Sequence, residues 1–395
     1  MNVVHRRSYI LPVIVVAQLC CTSLWFASNA VIDQLIDSFG LDPSVLGHLT
    51  SAIQLGFIVG TLVFAIWTIA DRFSPSLVFL ISAVSGALFN LALLLPDQSL
   101  YSLLILRFGT GFFLAGVYPV GMKIASDHFK EGLGLSLGYL VGALVVGTAL
   151  PHLVRGLGWQ LSFSTVVKVT SSLAAVGGIA LWALVPDGPF RVPSSGFDPK
   201  AIARIFKNPG LTRAAFGYFG HMWELYAFWT FVPLAMLSIA PSEQPEMTSI
   251  WSFQVIALGG ISCVLAGYIS RIWGPGRTAR WALLASGCCC LLSPLVLSAG
   301  QPLQILLFFS FWGMVVIADS PMFSTLVAAE AEDKTRGTSL TIVNCIGFSL
   351  TIASIQLLNL LVDVVSIQWI YLPLTVGPVI GLLTSKKWRI RRSRH

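Results

Sequence analysis

Charge is what this chain has least of: Asp, Glu, Lys and Arg make up 10% of its 395 residues, 55% are hydrophobic, and the mean hydropathy is +0.81. Such a chain is built to dissolve in lipid. Its seven cysteines, Cys20, Cys21, Cys263, Cys288, Cys289, Cys290 and Cys345, all fall inside apolar runs, which excludes a framework of loop disulfides. The run of three from Cys288 points around a helix rather than at one metal ion, so small packing residues are expected there. There is no phosphate-cradling Gly-rich loop ending in Lys-Ser or Lys-Thr, and ATP is not expected to drive the protein directly. No His-Glu-x-x-His stands on a helix, and no Ser or Cys nucleophile has an evident His partner, so neither an enzymatic role nor a cofactor is expected. The start, His5-Arg6-Arg7 before an apolar stretch, lacks a small-residue cleavage site and reads as the beginning of a first span.

What is present is a series of apolar runs, each about the 20 residues a helix needs to cross the hydrocarbon core. They lie at roughly 10–32, 45–70, 76–95, 99–127, 132–154, 160–185, 211–237, 247–271, 277–298, 302–330, 336–361 and 366–387. Helices are implied because a helix satisfies its own backbone groups in lipid and these runs far exceed a barrel strand. With the N-terminus cytoplasmic, the segments on that side collect Arg6, Arg7, Arg72, Lys123, Arg191, Lys200, Arg271, Arg277, Arg280, Arg336 and the basic tail. Of the 24 Lys and Arg, only Arg107, Arg155 and Lys168 fall elsewhere. The opposite loops carry Asp33, Asp37, Asp42, Asp97, Glu243, Glu246 and Asp363. This asymmetry follows the positive-inside rule and puts both termini in the cytoplasm. The formal charge of +7 is therefore topological and calls for no nucleic acid, although the inner Lys and Arg are placed to touch anionic headgroups of the bilayer.

A Pro/Gly/Ser-rich segment at 186–210 splits the spans six and six, giving bundles at 1–185 and 211–395. Within it, Asp198-Pro199 is a good helix start, and a short amphipathic helix from Lys200 to Lys207 is expected along the membrane surface. The halves resemble each other at an offset close to 200: Gln54 and Gly60 with Gln254 and Gly260, Gly111 with Gly313, Pro119 with Pro321. Duplication of this kind marks transporter folds, whose substrate site lies near the midplane between repeats.

An ionisable side chain at bilayer depth is costly unless it has a partner or a wet cavity, so each is a functional candidate. His221 and Glu224, three apart in the seventh span, share a face with Gly217, Gly220 and Phe228. Burial disfavours the charged carboxylate there, which suits a proton carrier, and the imidazole can share or relay the proton; a fixed His–Glu pair joining helices is the alternative. Arg107 and Lys168 are two cations in the outer part of the first half, placed to bind an anionic group or to repel a proton; Lys168 can equally snorkel to the interface. Asp319 precedes Pro321, which frees a backbone carbonyl, so it either caps a kink or lines the cavity.

Six-plus-six spans, Asp71-Arg72 after the second span, its weaker echo Ser270-Arg271-Ile272-Trp273-Gly274, and Arg107-Phe108-Gly109-Thr110-Gly111 in the fourth together resemble the major facilitator superfamily over essentially the whole chain. The resemblance implies an all-α membrane protein, twelve transmembrane helices in two pseudo-symmetric six-helix bundles. It implies that Arg107 faces the central cavity and assists coupling, and that Asp71, with Arg72 beside it, meets the positive N-terminal end of the eleventh span near Gly337-Thr338-Ser339. Ser270 and Arg271 are the corresponding gating candidates. It also places Trp25, Phe26, Phe57, Trp223, Tyr226, Trp229 and Trp251 on cavity-lining spans. The family's nitrate branch uses arginines where Gln54 and Gln254 stand, so a nitrate carrier is not expected. The expectation is a monomeric, proton-coupled secondary transporter of the cell (inner) membrane, moving a small polar or anionic organic solute by alternating access. Two alternatives remain open: a divalent-metal carrier using His221, Glu224 and Asp319, and a transporter-like receptor that binds without cycling.

Overall fold

The computed structural model describes residues 9–129, 133–157, 162–191, 196–200, 205–241, 244, 246–332 and 335–385. Among these, ten helices are long and apolar enough to cross a membrane. The shorter apolar helix Ile10–Thr22 and the 29-residue helix Pro209–Leu237 complete twelve spans. Their order is span one, Ile10–Thr22; two, Val45–Ile66; three, Pro75–Leu94; four, Leu100–Leu114 with Tyr118–His128; five, Leu133–Gly156; six, Phe163–Leu184. Span seven is Pro209–Leu237; eight, Glu246–Trp273; nine, Pro275–Ala299; ten, Pro302–Ala318 with Ser320–Glu330; eleven, Arg336–Val362; twelve, Ile367–Ser385.

Several starts follow local sequence. Asn208 caps span seven by accepting from the N–H groups of Gly210 and Leu211, with Pro209 in the first turn, where a missing N–H costs nothing. Spans four and ten each break beside their proline, Pro119 and Pro321, because a proline cannot donate to the carbonyl one turn earlier. In span ten that carbonyl is Ile317 O, and the Cys263 thiol of span eight donates to it at 3.6 Å. Span one differs from its expected continuous run at 10–32. The helix stops at Thr22, passes through turns over residues 23–28, and resumes in a 3₁₀ turn and the helix Ile32–Phe39. Span two ends earlier than expected, at Ile66, where Thr68 takes a left-handed φ of 49°.

The repeat seen in the sequence is a packing repeat. A Cβ on Gly111 would strike the backbone carbonyl of Ile53, and one on Gly313 the carbonyl of Val255, so spans two and four, and spans eight and ten, touch through bare backbone at matching places. Between the halves, spans five and eight pack along most of their length, with Gly142 against Gly260, while span two packs on span eleven.

One end of the bundle is basic, with Arg72, Lys123, Arg191, Arg271, Arg277 and Arg336; the other is acidic, with Asp33, Asp97, Glu246 and Asp363. Spans two and eleven are tied at the acidic face: Gln356 donates to Gly47 O at 3.0 Å and Ser51 Oγ at 2.7 Å, and Asn359 donates to Ser44 O at 3.0 Å. The acidic face is thus closed. At the basic face the connection between the halves is pinned at two points. Arg191 donates to the carbonyls of Asp71 and Phe73 in the first half, both at 2.7 Å, while the Asp198 N–H donates to Thr338 Oγ1 of span eleven at 3.3 Å. Residues 201–204, within the expected amphipathic helix, lie outside the described residues, as do Lys130, Lys334 and the tail from Lys386.

Candidate functional site

The centre, where span one breaks against spans two, seven and eleven, is filled by aromatic rings. Trp25 lies 4.9 Å from Phe57, 5.6 Å from Tyr226 and 5.9 Å from Phe348, measured between ring centroids, and Tyr226 lies 5.2 Å from Trp229. All five are buried. Within this apolar cluster some polar groups are unspent: the indole N–H groups of Trp25 and Trp229, and both amide atoms of Gln54, have no hydrogen-bond partner. Buried polar groups are paired in most proteins, so a concentration of unpaired ones at the crossing of two domains marks a place where something polar binds. Gln254, the counterpart of Gln54, is instead spent on Ser310 Oγ at 3.1 Å.

Beside the cluster, span seven presents its two ionisable groups in different directions. Glu224 is not paired with His221. Its Oε1 accepts from Trp312 Nε1 at 2.7 Å and from the Cys290 thiol at 3.3 Å, and its Oε2 accepts from Ser286 Oγ at 2.9 Å. His221 Nδ1 lies 2.8 Å from Asp319 Oδ1, both fully buried, so spans seven and ten are joined at the kink. That approach is close but out of hydrogen-bond alignment, and His221 Nε2 and Asp319 Oδ2 also lack partners. The Ser286 hydroxyl has a second acceptor in reach, Leu283 O at 3.2 Å. Ser286 can therefore donate to an ionised Glu224, or turn to Leu283 and accept from a protonated one. A carboxyl with a rotor of this kind holds either protonation state without losing its bond.

The remaining candidates lie elsewhere. Arg107 is completely buried, but its guanidinium does not face a cavity; it donates to the carbonyls of Leu24 and Trp25 and to Asn90 Oδ1. Those two carbonyls are left free by the break in span one, so Arg107 takes the place of the missing helical N–H groups. Lys168 is exposed on the outside of span six, in the snorkelling position. Asp71 does not meet the start of span eleven; it pairs with Lys123 of span four at 2.9 Å, inside its own half. Lys123 also reaches Asp127 at 3.6 Å. Arg72 donates to Thr68 Oγ1, Ser270 to Gly267 O, and Arg271 stacks over the Tyr268 ring at 5.4 Å. Among the described residues no group of three or more His, Cys, Asp or Glu could hold a metal ion, and His221, Glu224 and Asp319 do not converge on one point.

Sequence reasoning missed Ser286, Cys290 and Trp312, which sit on spans nine and ten and are brought to Glu224 only by packing. A serine and a cysteine four apart on one helix, both on the buried face, were the available signal.

Against known families, the model of the Major Facilitator Superfamily matches residues 14–355. The chain belongs to the major facilitator superfamily. It is a multi-pass membrane protein of a transporter family. Among curated proteins it is similar to "Putative transporter AraJ" of Escherichia coli (strain K12), 26% identical over 266 residues, 64% of this chain and 63% of that protein. It is also similar to the 4-hydroxybenzoate transporter PcaK of Acinetobacter baylyi, 30% identical over 143 residues, 35% of this chain and 31% of that one. The chain thus spans less than two thirds of the length of these relatives. Among solved structures, the proton:xylose symporter XylE bound to 6-bromo-6-deoxy-D-glucose superposes with a TM-score of 0.73 at 12% identity, covering 96% of this chain and 95% of that one. The bacterial homologue of the human lysosomal transporter Spinster, inward-facing and occupied, gives 0.70 at 13% identity, covering 96% and 95%. At such identities the likeness is one of fold.

Proposed function

We propose that this member of the superfamily is a proton-coupled secondary transporter of small polar or anionic organic solutes carrying an aromatic ring. Support for the solute class comes from the ring-lined centre, where two indole N–H groups and the Gln54 amide are unspent. Aromatic faces take up a flat ring, and the free donors select a hydroxyl or carboxylate on it. The match to a 4-hydroxybenzoate transporter points the same way. The observation that carries the proton is Glu224, buried with three donors and no cation in an ion pair with it.

The halves of the fold are the first bundle through residue 185 and the second from 211, rocking about that centre by alternating access. The basic face is cytoplasmic, on the Lys/Arg asymmetry, and the closed acidic face is outward. Single cysteines at Asp97 and Val364 should then label in intact cells with an impermeant maleimide, and one at Lys200 only after lysis. Labelling of the Lys200 position from outside reverses the orientation.

The reading is tested with purified protein in liposomes, with 4-hydroxybenzoate as the probe. An imposed pH gradient, acidic outside, should drive accumulation that a protonophore abolishes. Binding of the probe with no flux under either gradient direction would instead make the chain a receptor.

A further inference from the structure

Spans eight, nine and ten part on the outside of the second half around a groove of about 300 Å³. Its walls are apolar, among them Leu265, Ile269, Trp273, Trp281 and Phe311, and its floor is shallow-sided because small residues such as Ala282 stand there. The lining runs along span eight from Trp273 at the basic face to Ser262, a rise of about 16 Å at 1.5 Å per residue. That is about the depth of one leaflet of a hydrocarbon core roughly 30 Å thick. Trp273 and Trp281, both more than half exposed, flank the mouth at the level where indole rings meet headgroups.

The mouth is positively charged. Arg277 stands one helical turn before Trp281 on the groove side of span nine, Arg280 is adjacent, and both are exposed. Neither forms an ion pair among the described residues. The contrast with the first half is direct. There the corresponding turn carries Asp71, and the nearby cations are neutralised in Lys123–Asp71 and Arg191–Asp187. In the second half Ser270 stands where that acid would be, and the arginines keep their charge free.

A groove of one leaflet's depth, open to lipid and headed by two unpaired guanidiniums, matches one kind of occupant. We propose that it holds an acyl chain of an anionic phospholipid whose phosphate lies between Arg277 and Arg280. The guanidinium fork suits phosphate, and the chain fills a surface that straight bilayer lipids pack poorly.

Native mass spectrometry of the full chain in mild detergent, with phosphatidylglycerol and phosphatidylethanolamine of the same acyl composition, tests this. Phosphatidylglycerol should be retained preferentially. Removing both charges, Arg277→Gln with Arg280→Gln, should reduce its retention by about fivefold per arginine. Ala282→Phe, which fills the groove and leaves the charges, should reduce it as well, with each variant eluting as wild type on size exclusion. Soluble glycerophosphoglycerol, a headgroup without chains, should not compete. Equal retention of the two lipids, or wild-type retention by the double arginine variant, overturns the proposal. So does unchanged retention by Ala282→Phe, since the charges then act without the groove, or competition by the soluble headgroup, which makes the site one for free phosphate esters.

Discussion

Glu224→Gln protein reconstituted in liposomes should exchange solute across the membrane and fail to concentrate it. Glutamine keeps the size of the side chain and can still accept from Trp312 and Cys290, so the helix contacts among spans seven, nine and ten survive. What it loses is the ability to bind and release a proton. With one proton per solute, a gradient of about one pH unit supports roughly tenfold accumulation, since one unit is worth about 1.36 kcal/mol. The variant should reach a ratio of one at every imposed gradient while counterflow of labelled solute continues. Wild-type accumulation by a normally folded Glu224→Gln protein sinks the assignment. The same assay on Asp319→Asn separates the two buried acids: Asp319 lies against His221 alone, and its variant should alter pH dependence without flattening the gradient response.

Arg107→Leu should be the most destabilising single change in the first half. The guanidinium holds Leu24 O, Trp25 O and Asn90 Oδ1 in a fully buried site, and Asn90 in turn donates to Thr170 and Ser171 of span six. Removing it strands two backbone carbonyls in an apolar interior and unlinks spans one, three, four and six. Losing a buried, charge-assisted network of this kind costs about 3–5 kcal/mol. The expected result is a fall in melting midpoint, read by fluorescence-detected size exclusion after heating, with poor yield. Arg107→Lys, which keeps the charge without the fork, should lie between. If Arg107 served the solute instead, Arg107→Leu would melt like wild type and lose binding.

The spans were legible because lipid imposes a long apolar run on every crossing helix. The kinks in spans four and ten were legible because a proline removes a specific hydrogen bond. The break in span one was not. Ser23-Leu24-Trp25-Phe26-Ala27-Ser28 contains neither Pro nor Gly, and the turn is held by an arginine some eighty positions away. The partners of span seven were hidden for the same reason. His221 and Glu224 share a helical face by count, yet packing sends one to Asp319 and the other to Ser286, Cys290 and Trp312, and helical periodicity cannot choose between neighbours on other helices. Asp71 found Lys123 because a cation in its own half lay nearer than the start of span eleven.

The two pins on the connecting segment act as the ends of a leash. Arg191 is fastened to the first half and Asp198 to the second, leaving seven peptide steps between them. At about 3.5 Å per step the leash reaches at most about 25 Å. Parting of the two bundles at the basic face therefore has a mechanical limit, and going beyond it requires letting go of Thr338 or of the turn after span two. Stroke length in this protein is written into the spacing of two residues that touch neither solute nor proton.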